Sequence, residues 1–407
     1  MQTLRNKKIY VESYGCTFNH ADTEKLIETA VEQGCVQVPA EDADVFVINT
    51  CTVIGATERT MLRRISEFAD NRKEVLIVVT GCMPVIQADL IRSVCPDSHI
   101  ILPEELYRCN MRVGALTMPG VGVVQMGTGC LGRCSYCITR SARGRLKSFS
   151  ESTIVAEVER LVSLGAGEIQ LTGQDVSAYG LDCGTNLAEL LYAINEIPGD
   201  FSVRVGMMNP ATVIPILDEL VPAFALKKIF SFVHMPVQSG SDHVLDTMNR
   251  GYHAEDFVKI VDAFRAEMPD VRISTDFIVG FPTETDEDFA ETLSLIRRTR
   301  PGKVNITRFS TRPGTDAEKY HDLPDRIKKD RSRLLTKTAN AIYDEVNESY
   351  VGRVPDVRVT EQKKAGSVVA RDHSYMNIVV MEELPVGSVW KVRVTGHHRH
   401  YLIAEKL

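Results

Sequence analysis

No stretch of this sequence approaches the roughly 18 consecutive apolar residues that a bilayer span requires. The opening residues Met1 to Lys8 have neither the apolar core nor the small-residue cleavage site of a secretory signal. Membrane and secreted classes are therefore set aside, and a cytoplasmic location is expected. An excess of basic residues is missing too. Lys and Arg number 47 against 54 Asp and Glu, for a net charge of -7, so the chain as a whole does not attract polyanions. Any contact with nucleic acid must come from local basic patches. Nor does the composition, 44% apolar and 25% charged, leave a long segment that must be disordered.

What is present is a chain of 407 residues, too long for one ordinary core and better divided into two or three domains. It carries ten cysteines. Inside a cell thiols stay reduced, so these read as metal ligands, reactive thiols or small core residues and not as a disulfide framework.

A unit recurs three times in the first 120 or so residues: an apolar β-rich run, a cysteine at or just past its end, then a helix-compatible stretch. The runs are Lys8-Ile-Tyr-Val-Glu-Ser-Tyr-Gly-Cys16, Val45-Phe-Val-Ile-Asn-Thr-Cys51 and Val75-Leu-Ile-Val-Val-Thr-Gly-Cys82. The last two have the pattern of strands buried on both faces, which belongs to a parallel sheet. Strands joined by helical crossovers gather their carboxyl ends on one edge, so Cys16, Cys51 and Cys82 should converge there. From about Val121 to Tyr350 strand and helix alternate again, with strands starting near Val123, Glu168, Ser202, Ile229, Val271 and Lys303. Six such units predict a partial barrel with its chemistry at the strand carboxyl ends. After Gly352 come five short β-branched runs separated by turn residues, the pattern of a small OB-like barrel. The fold class is thus α/β: a parallel-sheet α/β domain (1–120), a partial (βα)6 TIM-like barrel (121–349) and a small antiparallel β-barrel (350–407).

The segment Gly129-Cys130-Leu-Gly-Arg-Cys134-Ser-Tyr-Cys137 directly follows the first barrel strand. Three thiolates on a short loop suit three irons of a 4Fe-4S cluster, with Gly129 and Gly132 letting the backbone wrap closely around it. The fourth iron then has no local ligand and stays open to a small molecule. Structural zinc asks for four ligands, commonly as two Cys-x2-Cys pairs, whereas the segment has three cysteines and one such pair. Cys16, Cys51 and Cys82, placed alike in three successive units, fit a second three-thiolate cluster; taken singly, each could be a small apolar residue at a strand end. Cys35, Cys95, Cys109 and Cys183 fit no such pattern and read as packing or surface thiols.

The chain resembles, over essentially its full length, the methylthiotransferase family of radical S-adenosylmethionine enzymes. The resemblance is carried by Tyr14-Gly-Cys-Thr-Phe-Asn19, Asn49-Thr-Cys51, Gly81-Cys82, the Cys130 loop with Arg143-Gly-Arg145, Leu171-Thr-Gly-Gln174, Pro236-Val-Gln-Ser-Gly-Ser241, Met248-Asn-Arg250, Asp276-Phe-Ile-Val-Gly-Phe-Pro282 and Ser310-Thr-Arg-Pro-Gly-Thr315. It implies two 4Fe-4S clusters, an auxiliary one on Cys16, Cys51 and Cys82 and a radical-generating one on Cys130, Cys134 and Cys137, with a C-terminal RNA-binding TRAM barrel. One S-adenosylmethionine would methylate sulfur held at the auxiliary cluster; a second would be reduced to the 5'-deoxyadenosyl radical, which removes hydrogen from an unactivated carbon.

By the same resemblance Thr172, Gly173 and Gln174 meet the amino group of S-adenosylmethionine, and Asp276, Ile278, Val279 and Gly280 lie where its adenine is cradled, although a glycine after a strand also serves as a plain turn. Arg204 and Arg250 offer planar forks to its carboxylate, or pair with surface acids instead. The basic run Arg140, Arg143, Arg145 and Lys147 stands beside the radical centre and is a candidate phosphate contact, as are Arg393 and Arg399 in the barrel. His397, His398 and His400 have no sulfur or carboxylate placed beside them in the sequence to make a metal site. The implied partners are the anticodon stem-loop of tRNA and an electron donor such as a flavodoxin or ferredoxin, with the sulfur source open.

Within the family the opening motif Tyr14 to Glu24 most resembles the archaeal and eukaryotic branch acting on threonylcarbamoyladenosine. Isopentenyladenosine in tRNA and an aspartate of a ribosomal protein are the competing substrates. An iron-sulfur RNA-binding regulator without turnover is the competing class.

Overall fold

The computed structural model describes residues 4–52, 55–71, 74–109 and 112–407. Their contacts divide the chain into two compact units: Met1–Ala166 with Leu171–Gln174 and Arg312–Thr315, and Gly167–Gln170 with Asp175–Thr311 and Asp316–Leu407.

The first unit is built on a parallel sheet of β1 (Lys8–Ser13), β2 (Val36–Gln37), β3 (Val45–Thr50), β4 (Leu76–Gly81) and β5 (His99–Ile100), in the order β2-β1-β3-β4-β5. All six residues of β3 are buried, because alternate side chains feed two different cores. Val45 and Val47 pack with Ile9, Leu26 and Val78, whereas Phe46 and Ile48 pack with Met61, Ile77 and Val79. Each such side chain contributes about 1.5–3 kcal/mol on burial. Cys35 and Cys95 lie in these two cores as the packing thiols expected, Cys183 is exposed, and the side chain of Cys109 lies outside the described residues.

Also in this unit, β6 (Gly114–Met118) and β7 (Val121–Gln125) form an antiparallel hairpin that the sequence reading did not anticipate. A Pro119-Gly120 turn joins them, with Gly120 at φ +76°. Two short strands, β8 (Gly127–Thr128) and β9 (Lys147–Ser148), pair antiparallel and close the base of the segment that carries Cys130, Cys134 and Cys137. Strand β10 (Glu168–Thr172) gives its last residues to this unit, where Met126 N–H donates to Thr172 C=O at 3.0 Å.

In the second unit the start of β10 pairs in parallel with β11 (Ser202–Arg204). Then β12 (Phe232–His234), β13 (Arg272–Val279) and β14 (Lys303–Arg308) pair in parallel in that order, and a parallel bridge between Met207 and His234 connects the two groups. The strand expected near Ile229 begins at Phe232, with Ile229 itself making a single bridge to Val203. The helix Asp286–Thr299 is started by a capping box of Thr285 and Asp288.

The C-terminal residues form a closed barrel of β15 (Asp356–Lys364), β16 (Ser367–Arg371), β17 (Asn377–Val380), β18 (Val389–His398) and β19 (Tyr401–Lys406), ordered β15-β16-β17-β19-β18. Four junctions are antiparallel and β17 with β19 is parallel. Its core takes alternate residues of the strands, such as Val357, Val359, Val368, Ala370, Ile378 and Val380. The loop after β16 reaches the starts of the parallel strands. Ser231 N–H donates to His373 C=O at 2.9 Å, Arg272 to Tyr375 C=O at 3.2 Å, and the Tyr375 hydroxyl to Glu168 at 2.6 Å. The Tyr375 ring packs on Phe230 and Phe232, with centroids 4.9 and 5.1 Å away.

Candidate active site

In the first unit, β1, β3 and β4 are neighbours in register, so their carboxyl ends lie side by side. The chain leaves them through Cys16, Cys51 and Cys82. Cys16 sits at the N-cap of the helix Thr17–Glu32 with extended backbone and no side-chain capping bond. Cys82 N–H donates to Thr50 C=O at 2.9 Å, which ties that cysteine to the end of β3. Gly15, at φ +109°, makes the approach of the first loop possible: a Cβ there would lie 2.9 Å from Cys51 Cβ and 3.3 Å from its sulfur.

Two asparagines from the opening motifs hold these ends together, a role that sequence reasoning missed. Asn19 is buried, and its Nδ2 donates to Tyr14 C=O at 2.7 Å and Thr50 C=O at 2.9 Å. Asn49 Nδ2 donates to Asn19 C=O at 2.6 Å and to Thr23 Oγ1 at 2.8 Å. Buried amides with so many backbone partners would be costly to replace by apolar groups. Both stand beside a cysteine in the sequence, Asn19 three residues after Cys16 and Asn49 two before Cys51.

The Cys130 segment is arranged around Gly132. A Cβ on that residue would lie 3.4 Å from Cys130 Sγ and 3.7 Å from Cys134 Sγ, and Gly132 N–H points at Cys130 Sγ at 3.3 Å. A backbone N–H directed at a cysteine sulfur stabilises the thiolate form that iron requires. Cys137 N–H bonds to Cys134 C=O at 3.0 Å, and Cys130 N–H to Gly144 C=O at 3.2 Å. No three His, Cys, Asp or Glu side chains among the described residues form a group able to hold a single metal ion. A cubane asks something different, since each thiolate binds its own iron and the sulfurs stand apart around the cluster. The all-thiolate donor sets, with Gly132 between two of the sulfurs, fit such a group.

Arg143 corrects one expectation. It is not a surface cation facing RNA: its side chain is 3% exposed and its guanidinium pairs with Asp22 at 2.6 Å. It also donates to Asn19 Oδ1 at 2.5 Å, to Tyr107 Oη at 3.2 Å and, through Nε, to Cys82 Sγ at 3.2 Å. Burial pushes the Cys82 thiol up, and the charge of Arg143 opposes it. Beside this network Lys25, fully buried, meets Gln125 Oε1, and Gln125 Nε2 donates to Asp22 at 2.7 Å. Burial pushes the Lys25 ammonium down to about 8, with Asp22 and Glu157 opposing. Arg145 and Lys147 are exposed, as a phosphate contact requires.

The expected cosubstrate residues fall in both units. Thr172, Gly173 and Gln174 lie in the first, where Thr172 is buried and Gln174 Oε1 is a buried acceptor with no donor. Such an orphan fits a site that awaits an N–H group. In the second unit, Asp276 accepts from Asn305 at 2.6 Å and meets His234 Nε2 at 3.0 Å. Ile278 N–H already donates to Gln238 C=O at 2.9 Å, Val279 C=O accepts from Phe309 N–H at 3.0 Å, and Gly280 N–H donates to Glu284 at 2.7 Å. Those three backbone groups are therefore used within the fold. Of the two arginines, Arg250 departs from expectation. Arg204 lies over the rings of Phe232 and Tyr375, 5.5 Å from each centroid. Arg250 is buried and donates to Pro236 C=O at 3.0 Å, Tyr252 Oη at 3.0 Å and Asn209 Oδ1 at 3.3 Å. Internal acceptors thus occupy the fork expected for a carboxylate. Arg393 and Arg399 are exposed in the barrel and pair with Glu405 at 3.8 Å and Asp344 at 3.1 Å. No described helix is long and apolar enough to cross a membrane.

Comparison with known proteins agrees with this organisation. Residues 124–296 match the radical SAM superfamily, 8–102 match an uncharacterized protein family, UPF0004, and 348–407 match the TRAM domain. In fold the chain is similar to the radical S-adenosylmethionine methyltransferase TsrM from Kitasatospora setae, solved with cobalamin and a 4Fe-4S cluster, with a TM-score of 0.55 over 77% of each chain at 14% identity. These matches define an enzyme with the radical S-adenosylmethionine fold. Along its length the chain is 41% identical to a probable threonylcarbamoyladenosine tRNA methylthiotransferase of Archaeoglobus fulgidus, covering 98% of both chains. It is 33% identical to the threonylcarbamoyladenosine tRNA methylthiotransferase of Drosophila melanogaster, covering 98% of this chain and 78% of that one. The chain belongs to the radical S-adenosylmethionine methylthiotransferase family.

Proposed function

We propose that this enzyme converts N6-threonylcarbamoyladenosine beside the anticodon of tRNA to its 2-methylthio derivative, with one 4Fe-4S cluster on Cys130, Cys134 and Cys137 and an auxiliary one on Cys16, Cys51 and Cys82. The observation that carries the reading is the placement of both cysteine sets within one compact unit, with Cys82 joined to the helix that follows Cys137 through Arg143. The choice of adenosine is supported by the names of the relatives at 33% to 41% identity.

When bound, the clusters and S-adenosylmethionine supply the radical and the sulfur. This chain's residues do the rest. Gly132 N–H holds Cys130, Asn19 and Asn49 fix the strand ends, and Gln174 Oε1 offers its unused acceptor to the cosubstrate amino group. Arg145, Lys147, Arg393 and Arg399 remain the RNA-contact candidates, consistent with a TRAM match over 348–407. Reduction draws on an electron donor such as a flavodoxin or ferredoxin.

The test is anaerobic. The reconstituted chain is given S-adenosylmethionine, dithionite and tRNA bearing threonylcarbamoyladenosine, and digested nucleosides are weighed by mass spectrometry. A methylthio gain on that nucleoside supports the reading. Formation of 5'-deoxyadenosine without it moves the substrate to another adenosine or to protein, and absence of 5'-deoxyadenosine favours a non-catalytic regulator.

A further inference from the structure

Three buried charges outside the cysteine sets, Asp22, Lys25 and Arg143, need a reason, because a buried ion pair is seldom a net gain over apolar packing. Their placement gives one. Asp22 lies on the helix that Cys16 starts, while Arg143 ends the short helix Thr139–Arg143 that begins two residues after Cys137. The guanidinium is held by Asp22, Asn19 and Tyr107, with the Phe18 ring 4.9 Å beneath it, so its direction is fixed. What remains is Nε–H, aimed at Cys82 Sγ at 3.2 Å. A lysine could pair with Asp22, but only the rigid guanidinium fork serves all these acceptors together.

We propose that Arg143 is a positioning residue for the auxiliary cluster: it orients the Cys82 sulfur, sets a permanent positive charge against that ligand, and links it to the helix leaving the radical centre. This rests on the reading of Cys16, Cys51 and Cys82 as cluster ligands. Outer hydrogen bonds to a sulfur ligand and nearby charge are among the factors that set the potential of an iron-sulfur centre. A cation beside the sulfur favours the reduced, more negative state, so its loss should move the potential downward.

The full chain carrying Cys130→Ala, Cys134→Ala and Cys137→Ala isolates the auxiliary set. In that background Arg143→Met and Arg143→Lys are reconstituted with iron and sulfide, and iron per chain and midpoint potential are read by EPR-monitored titration. Arg143→Met should weaken iron affinity by about 10- to 100-fold, the range for a lost outer partner, read as less iron per chain, or shift the potential negative where it loads. Arg143→Lys should fall between it and the parent. Equal iron and equal potential in Arg143→Met and the parent would overturn the proposal. So would loss of cooperative melting of the apo-chain in both variants, which assigns Arg143 to the fold alone. A parent that takes up no cluster overturns the ligand reading itself, and the proposal with it.

Discussion

Arg312 donates to Thr52 Oγ1 at 3.0 Å across 260 residues of sequence, and the same guanidinium pairs with Glu58. It thereby brings the segment Arg312–Thr315 to the residue that follows Cys51. Thr52 in turn donates to Gln87 Oε1 at 2.6 Å, and Gln87 Nε2 to Glu58 at 2.9 Å, closing a polar ring near the ends of β3 and β4. The Arg312 side chain is 6% exposed and that of Glu58 16%. Arg312→Met should cost the apo-chain about 2 kcal/mol in urea denaturation, since it leaves the Glu58 carboxylate with Gln87 as its remaining partner in the ring. Adding Glu58→Gln should return part of that loss. An unchanged midpoint in Arg312→Met would show that the ring carries no stability.

Lys25 gives a dependence on alkaline pH. Its folded pKa of about 8 lies below the ordinary 10.5. Below about pH 8 both folded and unfolded chains carry the proton, and the buried charge counts fully against folding. Between about 8 and 10.5 the unfolded chain binds more protons, so stability rises with pH. Relative to Lys25→Met, the wild-type apo-chain should gain about 3 kcal/mol across that window. Parallel pH profiles for the two chains would refute the assignment.

Asp288 gives the opposite case on the acid side. Burial alone would raise its carboxyl, but hydrogen bonds from Ser241, Thr285 and His243 outweigh that and hold it at about 2. Its contribution is therefore present above about pH 4 and lost as pH falls toward 2. Asp288→Ala should remove it at all pH values, costing about 1 kcal/mol through the capping box. Thermal melts from pH 5 to 2 decide the matter: the difference between wild type and variant should shrink with acid.

For RNA, Lys147→Ala should weaken tRNA binding and lower the slope of log affinity against log salt by about 1, as loss of one phosphate contact does. Filter binding between low and moderate salt measures it. An unaltered slope would remove Lys147 from the interface.

The sequence was most legible where a local pattern had a single physical reading. The runs before Cys51 and Cys82 are too apolar for anything but buried strands, and β1, β3 and β4 are where they were expected. Arg143 was not legible. A basic run reads as a solvated face, and only the fold shows that its helix turns this one cation inward to an aspartate 121 residues earlier. Arg250 escaped for the same reason, its acceptors at Pro236 and Asn209 being 14 and 41 residues away. The parallel pairing of β17 with β19 is a matter of long-range register, which composition does not encode.

The loop that follows β16 has a consequence for how freely the C-terminal barrel can be treated as a detachable module. His373 and Tyr375 occupy acceptor and ring positions at the starts of β10, β12 and β13, and Arg204, Arg272 and Glu168 each take one of their partners from Tyr375. A chain ended at Tyr350 would not be the same catalyst merely lacking one barrel. It would expose Phe230 and Phe232 and take one partner from each of three charged groups, so loss of the barrel and loss of solubility would arrive together in any such truncation.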